Sequence, residues 1–386
     1  MMKSAYLDYN ATAPIRPEVM EAVSPFLKDG FANPNSPYRI GQEVRRALEL
    51  ARERVASLLG AKNPGEIVFT SSGSEANSAA LYGAAWHSLQ KNGRNKIIVS
   101  AVEHESVREI LPILSSQGFK IYETGVDSNG LIDCDSLLES IDERTALVSV
   151  MQANNETGVI QPIEKIAAFC QDRGVLFHSD AVQSAGKIAL DVESLGVDLL
   201  SISGHKLGAL KGAGALYIRN GVKLFPLIAG LQEKRRRGGT ENVIGIVALG
   251  VAAQLSLPEL SNSQRYLSWQ KQIEDACLSV SGVRLNGGAE KRLPNTSNFS
   301  IEGVDGHSLA IAFDLAGACV SSGSACATGL SSPSHVLKAM GLPKNLIKGA
   351  LRVSTGWKTS QEEVDRFIGV FPSVVNKMRS VSLVPA

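Results

Sequence analysis

The chain has 386 residues, of which 44% are hydrophobic and 20% are charged, and its formal net charge is +1 at pH 7. This composition is typical of a soluble α/β enzyme and excludes a disordered or fibrous protein, while the length predicts roughly two to three domains. The balanced charge excludes a surface field that would attract nucleic acid or an anionic membrane, so neither is expected as a partner.

Two helices are predicted near the start of the chain. A short strand over residues 5–7 precedes a helix over residues 17–27, where Pro17 suits a first-turn position. Apolar residues at spacings of three and four predict a second helix over residues 41–59. The segment between these helices is dense in turn-forming residues, so we expect a loop that folds over a site.

Strands and helices alternate through the middle of the chain. The predicted strands cover residues 66–70, 96–100, 146–151, 175–177, 197–202 and 215–218. This alternation predicts a parallel sheet with helices on both faces. Ligands of such sheets bind at the carboxyl ends of the strands, and most of these strands are followed by a polar segment. Near residue 256 the pattern changes to a long helix over residues 262–278, which predicts a domain boundary there.

An acid and an amine follow two of the predicted buried strands. Asp180 comes after the strand over residues 175–177, and Lys206 comes after the strand over residues 197–202. Pyridoxal phosphate needs both groups, because its aldehyde forms a Schiff base with a lysine and its pyridine nitrogen needs an anion. Each residue alone has a simpler interpretation, as a turn former or as a solvated loop residue.

Donors for a phosphate group are predicted beside these residues. Gly73 and Ser74 follow a strand and open a helix, so their N–H groups and the Ser74 hydroxyl can hold an anion, although Ser74 as a simple N-cap is the alternative. Ser203 and His205 can add donors from another direction. The basic run over residues 234–237, next to G-G-T, is either an anion-binding turn or a solvated face.

Further polar side chains are expected at the same edge of the sheet. His104 can stack on a flat heterocycle and shuttle protons, although a hydrogen-bonded surface histidine is the simpler interpretation. Asn155 and Gln183 follow two other strands and suit a ring hydroxyl or a substrate carboxylate. Arg352 lies inside the apolar strand A-L-R-V-S, where a guanidinium needs an anion, and an α-carboxylate is preferred over a structural ion pair.

Five cysteines are scattered along the chain without a C-x-x-C motif. This pattern indicates neither a zinc site nor a disulfide framework, and no metal is expected. Cys326 lies in the small-residue segment S-S-G-S-A-C-A-T-G-L, which predicts a flexible, exposed loop whose thiolate can act as a nucleophile. With no apolar leader segment and no apolar run long enough to span a membrane, a cytoplasmic protein is expected.

Segments along essentially the whole chain resemble those of the cysteine desulfurases, in the branch that serves nitrogen fixation and general iron–sulfur cluster assembly. In order, they read S-S-G-S-E-A-N, E-H-E-S-V, N-N-E-T-G, H-S-D-A-V-Q-S-A-G-K, S-G-H-K, R-R-R-G-G-T-E-N, P-N-T-S-N-F-S, S-S-G-S-A-C and L-R-V-S-T-G. The family is a branch of the fold-type I pyridoxal-phosphate enzymes, which are dimers with a large and a small domain.

The resemblance implies an α/β fold with a division of the chain into two domains. Residues 15–256 would form a large cofactor domain with a mainly parallel seven-stranded sheet flanked by helices. Residues 1–14 and 257–386 would form a small α/β domain that carries the catalytic cysteine loop. The resemblance also implies a homodimer, in which Thr240 reaches the cofactor phosphate of the neighbouring subunit.

The same resemblance implies roles for the candidate residues around pyridoxal 5'-phosphate. Lys206 looks like the Schiff-base lysine, Asp180 the partner of the pyridine nitrogen, and His104 the residue stacked on the ring. Gln183 is similar to the residue that bonds the phenolic oxygen. The phosphate ligands would be Gly73, Ser74, Ser203 and His205, the substrate carboxylate ligands Asn155 and Arg352, and the sulfur-accepting nucleophile Cys326.

The implied reaction takes sulfur from L-cysteine, leaving L-alanine and a persulfide on Cys326 for a sulfur-acceptor protein such as an iron–sulfur scaffold or a sulfur carrier. A selenocysteine lyase or another class V pyridoxal-phosphate enzyme is an alternative, against which the loop thiol argues. A non-catalytic sulfur-carrier or scaffold subunit is another, against which Lys206 argues. The chain departs from the family pattern at Tyr38, where a histidine is common, and at A-G-L-Q-E over residues 229–233.

Overall fold

The structure is a computed structural model that describes residues 4–322 and 333–382. Its strands are β1 Ala5–Tyr6, β2 Ile67–Thr70, β3 Lys96–Ser100, β4 Lys120–Thr124, β5 Thr145–Ser149, β6 Leu176–Asp180, β7 Leu199–Ser203, β8 Gly214–Ile218, β9 Val283–Leu285, β10 Thr296–Ile301, β11 Ala318–Cys319 and β12 Ala350–Ser354. Its helices are α1 Pro17–Lys28, α2 Arg39–Leu59, α3 Gly73–Asn92, α4 Glu105–Arg108, α5 Ile110–Ser116, α6 Cys134–Ser140, α7 Ile163–Asp172, α8 Val192–Leu195, α9 Gln232–Arg235, α10 Val243–Glu259, α11 Ser263–Leu278, α12 Gly306–Leu315, α13 His335–Ala339, α14 Lys344–Lys348 and α15 Gln361–Ser382.

A seven-stranded sheet forms the centre of the molecule, in the order β2-β8-β7-β6-β5-β3-β4. Strand β8 runs antiparallel to its neighbours β2 and β7, and the other neighbouring pairs are parallel. The predicted mainly parallel seven-stranded sheet is therefore confirmed. Every residue of β5 and β7 is buried, which is the pattern of strands covered by helices on both faces.

The two faces of this sheet carry separate apolar clusters. Leu199 packs into the cluster under α3, whereas the next residue, Leu200, packs into the cluster under α2 and α10. Helices α2 and α10 approach closely, because a Cβ on Gly250 would lie only 2.5 Å from the Cα of Ala51. Helix α10 is missing from the predicted elements because it is apolar all round, as buried helices are, and lacks a polar face.

The helical stretch Val243–Leu278 is long and apolar enough to cross a membrane by length and composition, although no such stretch was expected from the sequence. Helix α10, which makes up most of its apolar part, is packed in the core against α1 and α2. It is therefore accounted for as a core helix.

A third apolar cluster joins the two ends of the chain. Strands β12, β10 and β9 form an antiparallel sheet, and β1 pairs in parallel with β11. Helices α11, α12 and α15 pack with these strands around Phe299, Phe313 and Phe367. The proposed domain boundary at residue 256 falls inside α10, which continues to Glu259, and the division into domains stays a prediction.

Candidate active site

A cavity of about 670 Å³ lies at the carboxyl ends of the parallel strands. One side of it comes from the central sheet and the other from the unit built by the chain ends. The predicted site residues that line it are Gly73, Ser74, His104, Asn155, Asp180, Gln183, Ser203, His205, Lys206 and Arg352. The structure therefore brings together residues that lie far apart in the sequence, as the fold class predicts.

Lys206 stands on the short 3-10 turn Gly204–Lys206 that follows β7. Its Nζ donates to the carbonyl oxygens of Asn10 at 2.5 Å and Ala11 at 2.8 Å. Burial, and after it the positive charge of Arg352, lowers the pKa of Lys206 to about 8, against the opposing charges of Asp8 and Asp180. About a tenth of the amine is therefore uncharged at pH 7, far more than at the ordinary lysine pKa, and an uncharged amine is the nucleophile that an aldehyde requires.

Asp180 ends strand β6 and is only 4% exposed. One carboxylate oxygen accepts a hydrogen bond from the backbone N–H of Val182 at 2.8 Å, and the other accepts one from Asn77 Nδ2 at 2.7 Å. Both bonds hold the carboxylate in one orientation at the floor of the cavity. A fixed buried anion suits a protonated ring nitrogen.

His104 is the residue that caps the N-terminus of helix α4. Its Nδ1 accepts the backbone N–H of Ser106 at 3.1 Å and lies 2.9 Å from the Ser106 hydroxyl. Burial lowers the pKa of His104, against the charge of Asp180, which raises it. His104 therefore lines the cavity as an uncharged imidazole at neutral pH.

The N-terminus of α3 opens on one end of the cavity. Ser72, not Ser74, is its N-cap, because the Ser72 hydroxyl accepts the N–H of Glu75 at 3.1 Å. The N-cap interpretation of Ser74 is therefore wrong, and its side chain is exposed to the cavity. A Cβ on Gly73 would lie 2.8 Å from a methyl of Val182, so only glycine lets the backbone sit this close to the sheet.

His205 and Ser203 complete this end of the cavity on the strand β7 side. The Nδ1 of His205 lies 3.1 Å from the Thr12 hydroxyl. Burial and the charge of Lys206 lower the pKa of His205 to about 4, so the ring is neutral at pH 7. Ser203 is buried at the end of β7.

Arg352 enters the cavity from strand β12 and is 1% exposed. Its Nη1 donates to the carbonyl oxygen of Asn155 at 3.0 Å, and its Nη2 donates to Asp8 Oδ1 at 2.8 Å. Arg352 therefore forms an ion pair with Asp8. From the sequence, such a structural ion pair was less favoured for Arg352 than an α-carboxylate. The Arg352 Nε has no partner among the described residues, which leaves one donor unused beside the cavity.

A hydrogen-bonded cluster that sequence reasoning missed supports Gln183. The Gln183 side chain donates to the carbonyl oxygen of Asn10 at 3.1 Å and accepts from Lys187 Nζ at 2.9 Å. Lys187 also donates to Asn10 Oδ1 at 2.8 Å, and burial lowers its pKa well below the usual range. In the sequence, Lys187 follows Gln183 by four residues in the run Q-S-A-G-K, and this spacing was the signal that could have indicated their contact.

Two predicted site residues do not line the described cavity. Thr240 is exposed and lies beyond it, at the end of the turn that contains the basic run. In that run Arg236 donates to the carbonyl oxygen of Gly65, and Arg237 pairs with Glu75. Lys234 and Arg235 are exposed. The run as a whole is therefore neither an anion-binding turn nor a solvated face. Cys326 lies outside the described residues.

The donors and acceptors of this cavity fit pyridoxal phosphate. The amine of Lys206 and the carboxylate of Asp180 line the same space, and the close-packed Gly73 opens a helix whose free N–H groups suit a phosphate. Within residues 4–322 and 333–382, no group of three or more histidine, cysteine or acidic side chains is placed to hold a metal ion.

The chain is similar along nearly its whole length to known proteins of about the same length. The aminotransferase class-V family matches residues 5–367. The chain is 43% identical to cysteine desulfurase IscS of Dictyoglomus turgidum over 99% of this chain and 97% of that protein. It is 42% identical to cysteine desulfurase IscS of Methanosarcina thermophila over 98% of this chain and 94% of that protein.

Solved structures of NifS-like proteins have the same fold as this chain. A NifS-like protein superposes with a TM-score of 0.90 at 35% identity, covering 97% of this chain and all of the other. A NifS-like protein from Rickettsia africae gives a TM-score of 0.86 at 31% identity, covering 97% and 99%. SspA in complex with cysteine gives 0.78 at 33% identity, covering 91% and 98%.

Proposed function

The chain belongs to the aminotransferase class-V family and is a pyridoxal-phosphate-dependent cysteine desulfurase, and from this premise we propose that Cys326 takes up the sulfur of L-cysteine as a persulfide. The observation that carries the proposal is the meeting of Lys206, Asp180 and Arg352 around one cavity. Ser322, four residues before Cys326, lines the same cavity. This position supports a role for the thiol at that cavity.

Pyridoxal phosphate, when bound, supplies an aldehyde for amines and a ring that withdraws electrons from the substrate. Lys206 is the proposed anchor, because burial keeps a share of its amine uncharged near pH 8. Asp180 is the proposed partner of the ring nitrogen, because Asn77 and the Val182 N–H fix its carboxylate. The proposed phosphate ligands are Gly73, Ser74, Ser203 and His205, with His104 on the ring and Gln183 at its phenolic oxygen.

Arg352 and Asn155 are the proposed ligands of the substrate carboxylate. The guanidinium is nearly completely buried and its charge is balanced by Asp8 alone among the described ion pairs. A substrate carboxylate in the cavity would share or displace this pairing and use the planar donor fork. SspA was solved with cysteine bound, which supports an α-amino acid of this size as the substrate.

The remaining steps move protons and one sulfur atom. The Lys206 amine accepts the α-proton of the substrate. The Cys326 thiolate then attacks the substrate sulfur, so that an S–S bond forms as the C–S bond breaks. The electron pair of the broken bond goes to the β-carbon, which takes a proton, the α-carbon regains the proton from Lys206, and alanine leaves.

The proposed assembly is a cytoplasmic homodimer that passes sulfur to an acceptor protein. Thr240 is exposed and lies away from the cavity of its own chain, which supports its proposed reach to the phosphate site of a second copy. The near-neutral net charge gives no support for nucleic acid or a membrane as partners. An iron–sulfur scaffold or a sulfur carrier is the proposed acceptor.

The test is a single turnover with sulfur-labelled cysteine, followed by mapping of the labelled residue. Wild-type protein should carry the label on Cys326. Cys326→Ser should keep the coloured cofactor and form no protein persulfide. Cys319→Ser is the matched control, since Cys319 is partly exposed and Asp314 lies 3.4 Å from its thiol. Label on Cys319, or full sulfur transfer by Cys326→Ser, would refute the assignment.

A further inference from the structure

A chain of hydrogen bonds runs from Asp180 to His104 through two residues that have no assigned role. Asn77 Nδ2 lies 2.7 Å from Asp180 Oδ2 and 2.8 Å from the Ser106 hydroxyl. The Ser106 hydroxyl lies 2.9 Å from His104 Nδ1, and the Ser106 backbone N–H points to the same nitrogen at 3.1 Å. Asn77 is completely buried, so none of its bonds is replaced by water.

The direction of each bond follows from what the groups can donate. An ionised carboxylate only accepts, so the amide of Asn77 must turn its NH₂ group toward Asp180. The second hydrogen on Nδ2 then goes to the Ser106 oxygen, which leaves the Ser106 hydrogen free to be donated to His104. In the opposite orientation the Asn77 amide oxygen would face the Asp180 carboxylate oxygen, and neither could donate a hydrogen bond. The Asn77 Oδ1 has no partner in the described structure, as this orientation requires.

Two donors therefore converge on one ring nitrogen of His104. The backbone N–H of Ser106 cannot reverse its direction, and the Ser106 hydroxyl, whose oxygen accepts from Asn77, still has its hydrogen to donate. A proton on Nδ1 would face the backbone N–H and lose that bond. The ring proton accordingly sits on Nε2, the nitrogen that Ser106 does not contact.

We propose that Asn77 and Ser106 are positioning residues that fix His104 as a neutral imidazole with its proton on Nε2, so that His104 acts as a hydrogen-bond donor and not as a base. This inference rests on the proposed function, in which His104 lies over the cofactor ring. It leaves Lys206 as the acceptor of the substrate α-proton. The expectation that His104 shuttles protons is replaced by an orienting and polarising role, of the kind a neutral histidine can perform.

The charges around His104 are mixed and do not reverse this arrangement. Burial lowers its pKa most, Lys206 and Arg352 lower it further, and Asp180 and Glu105 raise it. Glu105 also lies 3.4 Å from a nitrogen of His335, so part of its charge is directed there. The titratable and charged groups that face the ring are Asp180, Glu105, Lys206, Arg352, His205 and His335.

The tautomer can be read directly by nitrogen NMR of the dimeric protein labelled at its histidines. The chain has only six histidines, and the His104 signals are those lost in His104→Gln. We expect one protonated nitrogen of the Nε2 type and one unprotonated Nδ1, with and without cofactor. An imidazolium, or a proton on Nδ1, in the wild-type protein near neutral pH would overturn the proposal.

Ser106→Ala tests the hydroxyl, and Ser106→Thr is the conservative variant that keeps it. Loss of one hydrogen bond to the neutral ring should raise the pKa of His104 by up to about one unit in the alanine variant. The threonine variant should titrate like the wild type. Equal titration of all three proteins would contradict the role of Ser106.

Exchange of the substrate α-hydrogen with solvent separates the two candidate bases. We expect His104→Gln holoenzyme to retain exchange and Lys206→Ala to lose it, whereas the reverse pattern would refute the proposal. The histidine signals are recorded without turnover. An error in the assignment of Cys326 or of the substrate would therefore leave the tautomer result unchanged, and the two failures can be told apart.

Discussion

The reactivity of Lys206 comes from its surroundings. Its Nζ has only carbonyl oxygens as hydrogen-bond partners, from Asn10 and Ala11, and no carboxylate forms an ion pair with it among the described residues. Burial and the nearby Arg352 then act together to favour the uncharged amine. At the scale of one residue, the position of the amine and its protonation are set by the same neighbours.

The rate at which protein without cofactor captures pyridoxal phosphate should therefore depend on pH. The uncharged amine is the reactive form, so the rate should rise with pH and level off above about 8, the pKa of Lys206. The appearance of the visible absorbance of the bound cofactor measures this rate. Lys211→Ala, at an exposed lysine of the following turn, is the control and should behave as wild type. A rate that does not change between about pH 6 and about pH 9 would contradict the prediction.

The sequence identified residues that follow apolar strands and missed those that act through distant partners. Asp180 and Lys206 were found because each comes after a run that reads as a buried strand, and such strand ends meet. Asn77 was missed because it lies inside a helix and its partners, Asp180 and Ser106, are distant in sequence. Asp8 was missed for the same reason, since Arg352 is 344 residues away.

At the scale of elements, the cap of helix α13 bonds to a buried carboxyl group that follows strand β5. Ser334 caps α13 by accepting the N–H of Leu337 at 3.1 Å. The Ser334 hydroxyl donates to Glu156 Oε2 at 2.5 Å, and Glu156 is 3% exposed. Burial raises the pKa of Glu156 to about 7, although Ser334 and Arg352 lower it in part. The cap of α13 therefore rests on a group that changes charge near neutral pH.

The stability of the protein relative to Glu156→Gln should fall as pH rises. The folded state binds the Glu156 proton more tightly than the unfolded state, so this contribution is complete below about pH 4.5 and is lost as pH rises through about 7. A difference of roughly 2.5 pKa units corresponds to about 3 kcal/mol in the free energy of unfolding.

Urea unfolding of both proteins at about pH 5 and about pH 8 measures this change. Glu21→Gln, at an exposed position of α1, is the matched control and should show no change relative to wild type. A difference between wild type and Glu156→Gln that is the same at both pH values would show that Glu156 is ionised throughout.

Amphipathic helices and buried strands were predictable from the sequence, whereas elements without a contrast between faces were not. Strand β3 has its predicted bounds, and α2 begins two residues earlier than predicted. Helix α10 lacks a polar face, and strand β4, at the edge of the sheet, lacks a buried run, since most of its residues are exposed or half-buried. The antiparallel direction of β8 follows from its short connection to β7, because parallel neighbours need a longer crossover.

At the scale of the whole molecule, ion pairs connect the turn that carries Thr240 to helices α2 and α3. Glu233, Lys234 and Arg235 all have positive φ angles, which is a strained conformation for residues with side chains. Arg52 holds Glu233 at 2.7 Å, and Arg237 pairs with Glu75 in the first turn of α3 at 2.8 Å. These pairs offset the strain of the turn, and Thr240 at its end is exposed.

Mixed dimers of Lys206→Ala and Thr240→Val test whether the site is shared between subunits. If Thr240 serves the neighbouring site, one site of the mixed dimer has both substitutions and the other has none. The mixed dimer should then show about half of the wild-type desulfurase activity, more than either parent variant, because one intact site remains. If Thr240 serves its own site, no intact site forms, and the activity would stay at or below half of the Thr240→Val value.

The bonds that Asp8 and Asn10 make to strand β12 have a consequence for biosynthesis. Asp8 accepts from Arg352, and the Asn10 N–H donates to the Ser354 hydroxyl, so in each pair the second residue is translated 344 residues after the first. The segment that holds the Lys206 amine therefore leaves the ribosome long before the strand that fixes it in place. A nascent chain has no finished catalytic chamber until its final strand emerges, and premature termination anywhere upstream of β12 yields a product without one.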